Sequence, residues 1–428
     1  MSDTIIPQPR ATALKGDPSA LERLARDGML KRLSMMRDGE IHLVDPWGEN
    51  RFGRPCQSFP TTVEFVVNSS RFYAMAAFEG SVGAGEAYIQ GLWSCSDLVA
   101  LFQMMVANRA VMESLETGIV ATIGMPILRA IHGLRRNTRK GSRRNIEAHY
   151  DLGNDFYRLF LDETMSYSCA IFERENSTLL DASMAKIRRL CDKLQLSKDD
   201  HLLEIGTGWG AFAITAAREY GCRVTTTTIS REQYALAVER VREAGLQDRI
   251  EILFKDYRDL TGTYDKLVNI EMVEAVGHQF YGDFMAKCAS LLKPTGAMAM
   301  QAITIRDQFF ERAKKDVDFI KKFIFPGSCI PSMSALNDAA VKSSDFVLLS
   351  LEDLTPHYAR TLRAWREAFM SNVSGAKALG FDDHFIRMWE YYLAYCEGGF
   401  LERNVATVQM VFARPGCRME CSLPPLAQ

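Results

Sequence analysis

Leu203-Glu204-Ile205-Gly206-Thr207-Gly208-Trp209-Gly210 is the stretch that decides how this chain folds. The apolar residues before the glycines predict a short strand over 201–205, and the run 211–220 predicts a helix. Glycines let the backbone turn tightly and approach a ligand, and the following helix N-terminus presents N–H groups to it. Such loops cradle a nucleotide at the carboxyl ends of the strands in an open α/β sheet. The spacing G-x-G-x-G favours S-adenosylmethionine (SAM), yet Gly206, Gly208 and Ala211 also satisfy the looser dinucleotide pattern. A dinucleotide site expects an acid about 20 residues on for the ribose hydroxyl. The next strand ends Thr225-Thr226-Thr227-Thr228-Ile229-Ser230 and has none, which counts against NAD. It also departs from the many SAM enzymes that place an acid there. An ordinary tight strand-to-helix turn is the plain alternative.

Outward from the loop, strands are expected over 223–229, 250–254, 266–270, 297–305 and 407–413. Helices are expected over 232–244 and 284–292. This alternation predicts a doubly wound, Rossmann-like α/β sheet. Residues 306–400 read as mainly helical and predict a cap or insertion. Upstream, 19–36 reads as an amphipathic helix, 61–78 as a strand and 96–113 as an apolar helix, a smaller α+β or mostly helical domain. Residues 135–144 hold six basic side chains and no acid. The expected division is therefore an N-terminal domain over 1–134, a basic linker over 135–145 and a catalytic domain over 146–428.

Composition narrows the class. The chain has 428 residues, 47% hydrophobic and 24% charged, with a net charge of −2. Disordered chains are poorer in apolar residues and more strongly charged. A general nucleic-acid binder would carry a basic excess. The longest charge-free stretch, Phe323 to Asn337, is 15 residues, shorter than the roughly 18 that a spanning helix needs. Met1 to Pro18 lacks the charged head and apolar core of a secretory signal. The ten cysteines show no zinc spacing, so reduced thiols and no metal are expected.

Several separated motifs follow one another in order: His149-Tyr150-Asp151-Leu152-Gly153-Asn154-Asp155-Phe156-Tyr157, then Tyr167-Ser168-Cys169-Ala170, the glycine loop, Thr228-Ile229-Ser230 with Gln233, and Glu274-Ala275-Val276-Gly277. Phe325-Pro326 with Cys329-Ile330-Pro331, and Tyr391-Tyr392 with Gly398-Gly399-Phe400, complete the set. Together they resemble the cyclopropane-fatty-acyl-phospholipid synthases and their mycolic acid relatives over about 146 to 415. A fainter match, Gly85-Glu86-Ala87-Tyr88 with Gly91-Leu92-Trp93, extends upstream.

The resemblance implies a SAM-dependent enzyme acting on unsaturated acyl chains of membrane phospholipids. An alkene carbon attacks the SAM methyl group, the cation loses a proton from that methyl, and a ring closes. The resemblance further implies a bound bicarbonate as proton acceptor, held by Cys169, Glu274, Tyr358 and the backbone of Ile303. A histidine usually completes that set; Gln301 stands here. Glutamine can both donate and accept, as histidine can, but it cannot relay a proton near neutral pH. For SAM, the implied contacts are Tyr167, Ser168, Gly206, Gly208, Thr228, Ile229 and Gln233. Asp256 follows the third strand, where an acid can accept from the adenine amino group.

The chemistry explains why no nucleophilic serine or metal is sought. A fatty alkene needs a positioned sulfonium, exclusion of water and a base beside the cation. The basic cluster beside the apolar stretch 117–134 suits contact with anionic lipid heads. An enzyme of the cytoplasm, peripherally associated with the inner face of the membrane, is therefore expected. The resemblance implies a homodimer and an N-terminal domain, 1–134, that helps bind phospholipid. The rival reading is a related lipid C-methyltransferase, giving methyl-branched or methylene chains.

Overall fold

A computed structural model describes residues 18–111 and 152–420. The basic linker, the apolar stretch 117–134 and His149-Tyr150-Asp151 lie outside the described residues. The chain forms two compact units. The first contains the described residues before 112 together with Asp316–Ile324 and Trp365–Asn404. The second contains the remainder of the described chain up to Lys315, then Phe325–Ala364 and the segment from Val405. The catalytic domain expected as one piece over 146–428 is therefore interrupted twice, and Tyr391-Tyr392 and Gly398-Gly399-Phe400 belong to the first unit.

That first unit is α+β. β1 (Gly39–Asp45), β2 (Gly48–Arg54), β3 (Thr62–Val67) and β4 (Trp93–Cys95) form a sheet in the order β2-β1-β3-β4. The strand expected over 61–78 stops at Val67, and a helix runs from Arg71 to Ile89. Val63, Phe65 and Val67 alternate inward along β3, as a half-buried strand requires. The Gly85 motif has a packing reason: a Cβ there would come within 2.5 Å of the Phe319 ring. Tyr88 donates to Glu390 at 2.9 Å, and Arg387 donates to the Tyr88 and Trp93 carbonyls.

In the second unit, β5 (His201–Ile205), β6 (Arg223–Thr228), β7 (Ile250–Phe254), β8 (Tyr264–Ile270) and β9 (Leu292–Ile305) are parallel. β10 (Val347–Asp353) and β11 (Val405–Ala413) continue the sheet antiparallel, in the order β10-β11-β9-β8-β5-β6-β7. β10 falls inside the region read as helical; its apolar residues alternate at an exposed edge rather than in a core. The central strands are buried on both faces, so neighbouring residues serve different cores. Leu203, Leu267 and Met298 join one cluster, and Leu202, Val268 and Ala299 the other. Such strands read as apolar runs instead of alternations.

Candidate active site

The strand order creates the site. The chain runs from β5 outward to β7 and returns to β8, on the other side of β5. Loops leaving the carboxyl ends of β5 and β8 diverge, and ligands of open α/β sheets bind in the crevice between them.

Gly206, Gly208 and Gly210 have φ of 102°, 51° and 88°, where a Cβ is strained. A Cβ on Gly206 would also touch Met272 at 3.5 Å, so the glycine loop lies against the turn that follows β8. Thr226 donates to Glu204 Oε2 at 2.6 Å, which leaves the Thr207 hydroxyl to donate to Thr226 at 2.8 Å. Glu204 thus braces the loop, and burial pushes its carboxyl up to about 8. Trp209 anchors the loop through Nε1 to Asn154 at 2.7 Å, with its ring 5.1 Å from that of Tyr157.

The expected SAM residues fall along this crevice in three groups. Thr228 donates to Gln233 Oε1 at 2.9 Å and accepts from the Ser230 N–H at 3.1 Å. Ile229, between them in the chain, is half-buried. Asp256 is engaged in an ion pair with Arg258 at 2.6 Å. Ser168 is buried and accepts from Lys186 Nζ at 2.9 Å, while Tyr167 lies among the rings of Tyr157, Phe160 and Phe325. Positive-φ glycines with open space before Gly208, followed by a hydroxyl and an amide, fit a SAM molecule.

Beyond β8 the chemistry changes from backbone to side chains. Glu271 follows directly on β8 with φ of 49°, unusual for a residue other than glycine. Its N–H donates to the Gln301 carbonyl at 2.8 Å. Its Oε1 accepts from the Cys169 N–H and from Gln301 Nε2, both at 2.8 Å. Its Oε2 accepts from the Tyr358 hydroxyl at 2.7 Å. Burial raises its pKa, while the Cys169 N–H, Gln301, Tyr358 and the charge of Lys186 pull the other way.

Gln301 has a determined orientation. Lys193 can only donate, so Gln409 Oε1 receives it at 2.8 Å. Gln409 Nε2 then donates to Gln301 Oε1 at 2.9 Å, and Gln301 Nε2 faces Glu271 and the Cys169 carbonyl. β9 and β11 hold the two glutamines opposite one another in register.

Glu274, on the same turn, accepts from the Ile303 N–H through Oε1 at 2.5 Å. Its Oε2 is buried and has no hydrogen-bond partner among the described residues. Burial, then the charge of Glu271, pushes its carboxyl up to about 8. The Cys329 N–H donates to the Glu274 carbonyl at 2.9 Å, and Tyr281 donates to the Cys329 carbonyl at 2.6 Å. This accounts for the Cys329-Ile330-Pro331 motif as a clamp on the turn. The Cys169 thiol donates to the Ala170 carbonyl at 3.3 Å, and burial holds its pKa well above the usual thiol value.

The five expected catalytic positions, Cys169, Glu274, Gln301, Ile303 and Tyr358, therefore meet in one buried cluster. The residues missed by sequence reasoning are Glu271 and its supporters Lys186, Lys193 and Gln409. An acid directly after an apolar strand and three residues before Glu274 was the available signal for Glu271. For Lys193 and Gln409 nothing local was available, since each is joined to the site only through the folded sheet.

The family model for mycolic acid cyclopropane synthetase matches residues 137–410. A tuberculostearic acid methyltransferase of Mycobacterium tuberculosis is 38% identical over 79% of this chain and 80% of its own. A cyclopropane-fatty-acyl-phospholipid synthase of Escherichia coli is 34% identical, covering 81% of this chain and 87% of that protein. Among solved structures, a cyclopropane synthase from Mycobacterium tuberculosis superposes with a TM-score of 0.60 at 33% identity, covering 63% of this chain and 98% of that one. A mycolic acid cyclopropane synthase complexed with SAH and CTAB gives a TM-score of 0.60 at 32% identity, over 63% and 98% of the two chains. A glycine loop at the switch point, a buried carboxylate cluster beside it and these likenesses agree: the chain belongs to the cyclopropane synthase family, SAM-dependent transferases with a Rossmann-like methyltransferase fold.

Proposed function

We propose that this protein transfers the methyl carbon of SAM to the double bond of unsaturated acyl chains in membrane phospholipids and closes a cyclopropane ring. The observation that carries this reading is the juxtaposition of the Gly206–Gly210 loop with a buried cluster of two glutamates, a tyrosine and a glutamine. When bound, SAM supplies an electrophilic methyl carbon on a sulfonium. Gly206 and Gly208 would pass its methionine end, near Tyr167 and Ser168. Thr228, Ile229 and Gln233 would take the ribose and adenine, with Asp256 accepting from the adenine amino group beside its pairing to Arg258. Burial of the polar cluster excludes water and strengthens its electrostatic effect on a lipid cation. The cluster offers carboxylates, and no strong nucleophile is needed because the alkene is the nucleophile.

The substrate is a bilayer lipid, so the protein would visit the membrane surface from the cytoplasm, as a dimer. Among the described residues no helix is long and apolar enough to cross a membrane. The rival outcome, a methyl-branched or methylene chain, is favoured by one observation: a 38% identical relative is named a tuberculostearic acid methyltransferase. Both readings share the alkene attack and differ in how the cation is discharged. SAM and vesicles of unsaturated phospholipid, with the lipid product read by proton NMR, test them. Upfield cyclopropane signals are expected; methylene or new branched-methyl signals without them would establish the rival.

A further inference from the structure

The bicarbonate expected from the family resemblance does not fit the residues present. An anion buried in this cluster needs hydrogen-bond donors, and each expected donor is turned to a protein acceptor. The Tyr358 hydroxyl and Gln301 Nε2 donate to Glu271, the Ile303 N–H to Glu274 and the Cys169 thiol to the Ala170 carbonyl. Gln301 is fully committed: both Nε2 bonds and its Oε1 have partners inside the protein. The space these donors face is taken by Glu271, whose carboxylate would repel a second anion at close range.

The centre of these donors holds the carboxylate of Glu271, which has the planar oxygen pair and single charge of the ion. Its placement is over-determined. The residue is kept in a left-handed conformation, its N–H is tied to the Gln301 carbonyl, and three donors converge on its side chain. Lys193 and Gln409 direct the Gln301 amide toward it. Buried Lys186 supplies the compensating positive charge.

We propose that Glu271 is the base that takes the proton from the transferred methyl carbon, in place of a bound anion. The inference rests on the SAM-dependent alkene chemistry proposed above. The alkene π pair bonds to the methyl carbon, and the sulfur–carbon bond breaks with its electrons leaving on sulfur. The neighbouring lipid carbon becomes the cation. A C–H bond of the former methyl then breaks, its electron pair closes the ring, and the proton goes to Glu271. The receiving atom is Oε2. Each carboxylate oxygen offers about two lone-pair sites; among the described residues Oε1 has two donors and Oε2 has one, Tyr358. Carboxylate and cation end as carboxylic acid and neutral ring, so charge balances without a further reactant.

The test compares decarbonated buffer with added bicarbonate. Wild-type turnover on SAM and unsaturated phospholipid vesicles is expected to be equal in both. Glu271→Ala is expected to lose about 10²–10⁴-fold in turnover, the usual weight of a positioned base, and to recover part of it with bicarbonate or formate filling the vacated space. Glu271→Gln fills that space with an amide and is expected to lose as much without rescue. Calorimetric SAM binding within a few-fold of wild type shows that each variant folds. Glu271→Asp, with the carboxylate withdrawn by one methylene, provides a second folded variant of intermediate turnover. Independently of turnover, labelled bicarbonate should show no NMR line broadening with wild type and broadening with Glu271→Ala. A wild-type rate that collapses on decarbonation and returns with bicarbonate overturns the proposal, as does Glu271→Gln at the wild-type rate. If wild type makes no lipid product from SAM at all, the functional reading itself fails and takes this inference with it.

Discussion

The glycine loop and the carboxylate cluster lie side by side yet are built in opposite ways. The loop is one contiguous run, and its recognition surface is backbone shaped by residues with positive φ. The cluster gathers the side chains of Glu271, Gln301, Tyr358 and Gln409 and the backbone of Cys169 through hydrogen bonds between residues far apart in the chain, with Glu274 held by the Ile303 N–H beside them. A backbone site depends on what a residue lacks, a Cβ. A side-chain site depends on each group having the right partner and the right donor direction. The two should therefore fail differently when altered.

The largest expected difference is at Glu271. Glu271→Gln should lower turnover by about 10²–10⁴-fold and leave SAM affinity nearly unchanged, measured by calorimetry beside product formation. A parallel loss of SAM affinity would merge the two regions into one functional unit. Gly206→Ala should do the converse. A non-glycine residue at φ of 102° costs of order 1–3 kcal/mol, so SAM binding should weaken by about tenfold or more. Turnover of enzyme saturated with SAM should change far less.

The next effect sharpens how far the cluster extends. Gln409→Leu removes the donor that orients Gln301 and leaves buried polar atoms unsatisfied, at a cost of about 1–3 kcal/mol. Denaturant unfolding should show that loss, and turnover should fall while SAM affinity holds. Unchanged turnover would confine the working cluster to Glu271, Tyr358 and Cys169.

The last effect concerns pH and is read in stability rather than in turnover. Glu204 and Glu274 are each pushed up to about 8 from an ordinary value of 4.5. Between those values the folded state binds protons that the unfolded chain has released. Their stabilising contribution is full below about 4.5 and is lost as pH rises through about 8. Each such proton is worth about 1.4 kcal/mol per pH unit. Thermal unfolding of Glu204→Gln should therefore fall less steeply from pH 5 to 8 than that of wild type, and an equal slope would show that Glu204 titrates normally. The loop's brace and the cluster's acid would then differ in kind.

The sheet was legible because its central strands are runs of apolar or β-branched residues that alternate with helical segments along the chain. β10 was not, since Val347-Leu348-Leu349 is a short apolar run among helices, which periodicity cannot tell from a helix segment. The interruption of the second unit by 316–324 and 365–404 was likewise hidden, because no composition change marks where a helix joins a different core. The motif residues Cys169, Gln301, Ile303 and Tyr358 could be named, but their partners could not. Gln301 looked like a replacement able to hold an ion; in the fold its amide is used entirely by Glu271, Gln409 and the Cys169 carbonyl.

By itself the sequence determined the parallel sheet, the glycine turn and the order of motifs that marks the family. These depend on local periodicity and on conformations only glycine adopts easily, and both are written in neighbouring residues. Tertiary structure alone decided which acid receives the donors. That choice belongs to strand register and hydrogen-bond direction: Lys193 can only donate, which turns Gln409, which turns Gln301 toward Glu271. Such a chain of directions links residues more than a hundred positions apart, and it exists only once the sheet has closed over them.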